Sequence, residues 1–475
     1  METTKKLLHP RLLHKYQLRA FNRTLSIPNI GLFMEMGLGK TITVLSAIQY
    51  LKFNKKEVNK VLVIAPKRVA LMVWQQEAEN WLHTKDLKFS KVLGTEKQRK
   101  AALLVNADVY IINIDNIAWL TAYIGENWKF DMVVIDESSK IKNHASRRFK
   151  ALQAVKPLVK RVVLLTGTPR PQGVQDLWSQ IYMLDCGQRL GKSITSFRQQ
   201  FLNKSAIEGA PKGVNRYTAN KDQQQIIYNR IKDICVSMRT EDYLELPDRQ
   251  DINVIIPITE ELYSDYKTFE RDKILEMLEA EEGVISAPNK AALSNKLRQY
   301  ASGQIYDSEK HSHVIHDLKL DALAEILEDA DGDPVLCCYA FTHDRDVILH
   351  RFKKYKPRHL VTEKDFEDWN AGKIKLALGH LASMGHGLNL QKAPAKKRLA
   401  FVFYTPEWNL DNVLQGITRI FRQGLKSKFV VYKLALDKTI DLRIIKSNDE
   451  KKEGQDELMQ YVNELLYTYN CKSMS

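Results

Sequence analysis

The sequence predicts an α/β protein of two lobes, each built on a parallel sheet, with helical insertions between them. Three observations carry that prediction. The chain has 475 residues, enough for two or three packed domains of ordinary size. Its apolar runs fall into two sets separated by a charged stretch. Within each set the runs alternate with segments of helical length and periodicity. In chain order the first set is VLVIAP (61–66), VYIIN (109–113), MVVIDE (132–137) and RVVLLTGT (161–168). The second is PVLCCYAF (334–341), KLALGHL (375–381), RLAFVFY (398–404) and FVVYKLAL (429–436). Runs that are apolar at consecutive positions, rather than at alternate ones, suit strands covered on both faces, as parallel strands are. Residues 186–235 and 260–330 read as charged amphipathic helices, LPDRQ (246–250) as a connector, and the segment beyond about residue 450 as one amphipathic helix ending in loose polar residues.

Composition narrows the function. Apolar residues make up 44% and charged residues 27%, which excludes general disorder. The net charge of +15 is unevenly placed: residues 1–200 carry +17, residues 251–350 carry −12 and residues 351–450 carry +10. Two basic blocks around an acidic one point to a polyanionic partner, and the acidic face has two readings, a solvated helix surface or a surface that confines that partner. No apolar run reaches the roughly 18 residues that span a bilayer, and the N-terminal METTKKLLHPRLLHKYQ has neither an apolar core nor a small-residue cleavage site. A soluble cytosolic protein is expected. The five cysteines show no CxxC spacing, and Cys337 and Cys338 would point to opposite faces of a strand, so neither a disulfide framework nor a zinc cluster is expected. The 12 histidines form no HExxH-like pattern.

The sharpest chemical signal is MGLGKT (36–41), between a short apolar segment and a helix-compatible run. Glycines there let backbone N–H groups close around phosphate, Lys40 can reach the β and γ phosphates, and the Thr41 hydroxyl can bind Mg²⁺. Met34 stands where a complete Walker motif has its first glycine. Asp136 and Glu137 close the MVVIDE run, where a nucleotide-hydrolysing sheet presents one carboxylate to Mg²⁺ and one to the attacking water. A Gly-rich turn and a solvated strand end would account for either motif alone. The pair favours an NTPase. In QGITRIFRQG (415–424), Arg419 and Arg422 would share one face of a helix and could clamp a transferring phosphoryl group, the plainer reading being a solvated basic helix. Trp74, Trp81, Trp178 and Trp408 sit at spacings that favour core packing over base stacking.

These residues resemble the Swi/Snf-like ATPases of helicase superfamily two, most closely the compact type found in bacteriophage replication modules. The likeness spans roughly residues 10–445. LHKYQ (13–17) resembles the adenine-reading Q motif, MEMGLGKT (34–41) motif I, APKRVALMVWQQEAENW (65–81) motif Ia and DESSKIKN (136–143) motif II. LTGTPRPQGVQDLWSQIYMLD (165–185) resembles the family's long motif III, SMGHGLNLQ (383–391) motif V, EWN (407–409) the segment after it, QGITRIFRQG motif VI, and TID (439–441) the sequence that closes the second lobe. Three departures stand out: Ser138 and Ser139 replace the Ala and His of DEAH, Leu425 replaces a Gln, and Thr418 a small or acidic residue.

The resemblance implies two RecA-like lobes, with residues 1–185 as the ATP-binding lobe 1, 186–235 its helical insertion, 236–250 an interlobe linker, 251–316 the helical insertion of lobe 2, 317–447 lobe 2, and 448–475 a C-terminal helix and tail. It implies ATP and Mg²⁺, with Gln17, Gly37, Gly39, Lys40 and Thr41 on the nucleotide, Thr41 and Asp136 on the metal, and Lys40, Asp136, Glu137, Gln415, Arg419 and Arg422 in hydrolysis. Lys67, Arg68, Thr166, Thr168, Ser383, Gly385 and Asn389 would contact nucleic acid or couple it to the nucleotide. The implied activity is a DNA-dependent ATPase translocating on double-stranded DNA in phage replication or recombination, with phage replication proteins as possible partners, no membrane partner and a bacterial host cytoplasm as its setting. A strand-separating DNA or RNA helicase and an ATP-gated DNA clamp or scaffold are the alternatives.

Overall fold

Parallel strands with no exposed face dominate both halves of the computed structural model, which describes residues 7–167, 169, 173–206, 215–243, 246–279, 287–381, 389–450 and positions 458, 461, 462, 464 and 465. The chain divides into two compact units, Met1–Leu244 and Glu245–Ser475. In the first, β1 (Asn29–Met34), β2 (Val61–Ala65), β3 (Phe89–Val92), β4 (Val109–Asn113), β5 (Met132–Asp136) and β6 (Arg161–Thr166) are followed by a hairpin of β7 (Asn203–Ala206) and β8 (Asn215–Thr218), then by β9 (Cys235–Met238). Seven of them form one parallel sheet in the order β3-β4-β2-β5-β6-β1-β9. The second unit contains β10 (Arg249–Ile256), a hairpin of β11 (Gln304–Tyr306) and β12 (Ser312–Val314), β13 (Val335–Tyr339), β14 (Arg358–His359), β15 (Leu376–His380), β16 (Arg398–Phe403) and β17 (Lys428–Leu436). Its parallel sheet runs β10-β17-β16-β13-β15-β14.

The reason for continuous apolar runs is visible in how successive side chains are distributed. Along β2, Leu62 and Ile64 enter one hydrophobic cluster while Val61, Val63 and Ala65 enter another on the opposite face. Cys337 and Cys338 divide the same way between the two cores of the second unit. Both thiols are fully buried, and burial pushes both pKa values up, so they behave as small apolar groups. The four tryptophans read as core are all buried. Past residue 450, the helical positions Leu458, Val462 and Leu465 pack into the second unit's core at amphipathic spacing.

The eight expected runs are all strands, and the two-sheet fold class holds. Differences lie where strands are short or exposed. The stretch 186–235, read as helical, includes the β7–β8 hairpin, and 251–316 likewise includes β11–β12. Cys235–Met238, read mostly as linker, is a strand beside β1. Arg249 and Gln250, read as connector, begin β10, an edge strand whose residues are mostly exposed. Four-residue strands and solvated edges bury too little apolar surface to leave a run in the sequence.

A fully buried ion pair links two helices of the second unit, Leu318–Asp329 and Ile440–Asp449. Lys319, in the Leu318–Asp329 helix, sits 2.6 Å from Asp441, with both side chains fully buried. Asp441 also accepts a hydrogen bond from the Leu436 amide at the end of β17. Asp441→Ala would leave an uncompensated buried ammonium, and we expect it to destabilise the fold by about 3–5 kcal/mol. Urea unfolding of the variant checks this, and adding Lys319→Met should recover a large part of the loss.

Candidate active site

The site in the first unit forms at the carboxyl ends of β1, β5 and β6, which are adjacent or next-adjacent in the sheet. Phe33 is in register with Thr166, and Asp136 with Leu165, so the loop after β1, the Asp136–Glu137 pair and Thr166 emerge at one level. The loop ends at the Lys40–Gln49 helix, whose preceding residue, Gly39, has φ +73. Gly37 has φ +88. Left-handed backbone of this kind favours glycine, and a Cβ on Gly39 would lie 2.1 Å from the Gln17 amide nitrogen. First-turn N–H groups of the helix face the loop, the arrangement that binds anions.

Each predicted residue of this unit has a definite position. Gln17, in the Lys15–Ser26 helix, is buried; its amide nitrogen donates to the Leu38 carbonyl at 3.2 Å and its oxygen accepts from the His14 amide at 2.8 Å. It therefore braces the glycine loop. The Lys40 ammonium donates to the carbonyls of Met34 at 2.8 Å and Glu35 at 3.2 Å, and its charge acts on Asp136. Thr41 is half-buried at the start of the helix. Asp136 accepts from the Trp74 indole N–H at 2.9 Å. Burial pushes the Asp136 pKa up to about 6, with the neighbouring Glu137 charge adding to the rise and the Trp74 hydrogen bond and Lys40 opposing it. Glu137 is buried and accepts at Oε1 from Ser139 and from Thr166, each at 2.9 Å. Lys67 is exposed and Arg68 half-buried at the start of the Lys67–Asn80 helix.

This arrangement fits a nucleotide with its divalent cation. The lysine head rests on loop carbonyls, a hydroxyl stands at the helix start, and a buried carboxylate with a raised pKa lies at the adjoining strand end. Among the described residues no group of three or more His, Cys, Asp or Glu could hold a metal.

In the second unit, the predicted motif VI residues differ from expectation. The helix is Leu410–Ile417, so Arg419 and Arg422 lie in the turns after it and not on a helical face. Gly416 packs so closely that a Cβ would lie 2.6 Å from Leu381, and the Leu390 amide donates to the Arg419 carbonyl at 3.0 Å. At the helix end the Arg419 amide donates to the Gly416 carbonyl at 3.1 Å, and the Thr418 hydroxyl donates to the Gln415 carbonyl at 3.0 Å. Gln415 and Arg419 are buried. Arg422 donates to the Asn389 side chain, and Asn370 donates to the Asn389 carbonyl at 2.7 Å, so motifs V and VI meet. Thr168, Ser383 and Gly385 lie outside the described residues.

Sequence reasoning missed four contributors. Trp74 was read only as core, yet it also orients Asp136. Thr240 donates its amide to Glu35 at 2.8 Å and its hydroxyl to the Met36 carbonyl at 3.4 Å, tying the segment after β9 to the glycine loop. Ser138 donates to Gln180 at 2.7 Å, and Gln180 donates to the Pro169 and Asp176 carbonyls. A polar Gln amid the apolar LWSQIYML run was the available signal for this last pair.

Comparison with known proteins decides the family. Residues 18–302, more than half of the chain, match the SNF2-related domain. The chain belongs to the SNF2 family of ATPases. It is 32% identical over 459 residues to putative protein p41 of Acyrthosiphon pisum secondary endosymbiont phage 1, covering 94% of this chain and 97% of that protein. It is 25% identical to the ISWI chromatin-remodeling complex ATPase ISW1 of Saccharomyces cerevisiae, covering 92% of this chain and 40% of that one. Against the DNA repair and recombination protein RAD54-like of Drosophila ananassae the identity is 25%, with 88% and 58% covered. The SNF2 chain thus spans about half the length of these two cellular relatives. Among solved structures, the Sulfolobus solfataricus SWI2/SNF2 ATPase core in complex with dsDNA is 23% identical, with 91% of this chain and 90% of that chain covered and a TM-score of 0.42. No described helix is long and apolar enough to cross a membrane.

The Asp136 shift gives a signed prediction. A carboxyl whose pKa is raised by folding binds more protons folded than unfolded between about pH 4 and 6, so its contribution to stability falls as pH rises through 6. Ionised Asp136 then costs the nucleotide-free protein up to ~3 kcal/mol at neutral pH. Asp136→Asn should raise the melting temperature at pH 7.5, the gain should shrink below pH 6 and vanish towards pH 4, and ATP hydrolysis should be lost. Calorimetry across that pH range, with an ATPase assay beside it, checks both.

Proposed function

We propose that the protein is a DNA-dependent ATPase that translocates on double-stranded DNA. The observation that carries the reading is the convergence of Lys40, Asp136 and Glu137 at the strand ends, with Glu137 held in place by two hydroxyls. Lys40 would hold the β and γ phosphates, with Gly37, Gly39 and the adjoining amides around them and Gln17 near the base. Thr41 and Asp136 would hold Mg²⁺, which supplies charge neutralisation on the phosphates when bound. Glu137 would orient or deprotonate the attacking water, and Arg419 and Arg422 would oppose charge on the transferring phosphoryl, with Gln415 beside them.

Nucleic acid as the partner is supported by the +17 and +10 blocks and by relatives named for chromatin remodelling and DNA repair. Lys67, Arg68, Asn389, Ser383 and Gly385 are the proposed contacts, with Thr166 and Thr168 coupling them to the nucleotide. A role in phage replication or recombination, in a bacterial host cytoplasm and beside phage replication proteins, is supported by the phage relative. Sliding on paired DNA is supported by residues 391–415, which hold the central strand β16 and the start of a helix rather than a strand-splitting hairpin. The β7–β8 hairpin is the observation that keeps a strand-separating helicase as the second reading.

Two experiments test this. Glu137→Gln should bind ATP normally and stop turnover, whereas Arg419→Ala and Arg422→Ala should lower kcat by roughly 10³ to 10⁵ with a much smaller loss of nucleotide affinity. Near-normal hydrolysis by Glu137→Gln would remove the carboxylate assignment. The wild type should displace a third strand from a triplex in an ATP-dependent reaction and leave a plain fork paired. Fork unwinding without triplex displacement would favour the helicase, and ATP-dependent DNA retention without either would favour the clamp.

A further inference from the structure

Glu137 is placed where its backbone alone does not hold it. Its φ of +65 and ψ of +59 are left-handed, a conformation that non-glycine residues adopt at a cost and keep only when their surroundings impose it. Those surroundings are specific. The Glu137 carbonyl accepts from the Lys140 amide at 3.0 Å, closing a short turn over Ser138–Ile141. The turn is fixed to the Asp176–Asp185 helix twice, through Ser138 to Gln180 at 2.7 Å and through Ser179 to the Lys142 carbonyl at 2.7 Å. Ser138 and Gln180 are fully buried.

The turn delivers the Ser139 hydroxyl to Glu137 Oε1 at 2.9 Å, opposite the Thr166 hydroxyl on the same oxygen, also at 2.9 Å. Ser139 and Glu137 are each about 8% exposed, so water competes little for these bonds. No partner for Oε2 is found among the described residues. Two donors on one carboxylate oxygen fix the rotation of the group and draw charge to that oxygen, leaving the other as the one available to water.

We propose that Ser139 is a positioning residue for Glu137: with Thr166, it pins Oε1 so that Oε2 faces the water to be activated. A serine at this position thus takes a direct hold on the carboxylate, while Ser138 ties the turn to the neighbouring helix. The proposal rests on the reading of Glu137 as the group that activates water. It separates ground-state binding from turnover, because Ser139 touches no group proposed to hold the nucleotide.

The test is steady-state ATPase kinetics of the full chain with saturating duplex DNA, on wild type, Ser139→Ala, Ser139→Thr, Ser139→Cys and Glu137→Gln, with thermal unfolding of each. Ser139→Ala should lower kcat about tenfold and leave KM for ATP within about twofold, the loss of roughly one hydrogen bond's worth of orientation. Ser139→Thr, which keeps a hydroxyl, should recover most of kcat. Ser139→Cys keeps the shape with a poor donor and should behave like Ala, which preserves the test if the alanine variant folds badly. Unchanged kcat in both Ala and Cys variants, or a rise in KM alone, would overturn the proposal, as would a Thr variant that is folded yet as slow as Ala. Normal turnover by Glu137→Gln would instead sink the reading beneath it, whereas an inactive Glu137→Gln beside a normal Ser139→Ala would sink the positioning role alone.

Discussion

Parallel pairing of β6 between β1 and β5 is the constraint on which the first unit's site depends. Because the strands run the same way, their carboxyl ends gather at one edge of the sheet, and adjacent strands sit about 4.8 Å apart. Residues far apart in sequence, Lys40, Asp136 and Thr166, are therefore neighbours in a frame too rigid to let them drift. Antiparallel pairing at either place would send one of the three to the opposite edge. The apolar filling on both faces of β2, β5 and β6 holds this frame, since a register slip would move each buried Val or Ile to the wrong cluster.

On that frame, the site is a balance of charge and burial. Asp136 and Glu137 are consecutive carboxylates that must leave water together, and the protein treats them differently. Asp136 receives one indole N–H and retains a raised pKa of about 6, the state of a group suited to receiving a cation. Glu137 receives two hydroxyls on one oxygen and is held by a strained turn. The two neighbouring carboxylates thus sit in different surroundings, one against an indole N–H and the other against two hydroxyls.

The second unit solves a different problem. Its insertion helices must be anchored to a sheet whose outer strand β10 is largely exposed. The Lys319–Asp441 pair joins one helix to the end of β17, and Arg298 donates to the Pro406 carbonyl while Trp408 donates to Ser294. The last two links run from the Ala287–Ser302 helix into the segment just before Leu410–Ile417, so this helix supports the stretch that leads to Arg419 and Arg422. Burying such polar groups is tolerable because each has a partner.

Sequence by itself determined the two parallel sheets, the eight long strands, the glycine loop and the Asp136–Glu137 strand end. All of these are local: a run buried on both faces must be continuously apolar, and a phosphate loop needs glycine where φ is positive, as at Gly37 and Gly39. Tertiary structure decided the rest. The short strand Cys235–Met238 and the mostly exposed Arg249–Ile256 carry no strong pattern, and only pairing with β1 and β17 makes them strands. The helix bearing motif VI stops at Ile417, where the Thr418 hydroxyl takes the Gln415 carbonyl and the distant Leu390 amide takes the Arg419 carbonyl just beyond, which no helical periodicity records. Trp74, Ser139 and Gln180 act through hydrogen bonds to Asp136, Glu137 and Ser138, which lie 62, 2 and 42 residues away. Even the nearest of these depends on a turn imposed by another helix, because hydrogen bonds are set by position in space and leave no periodic trace along the chain.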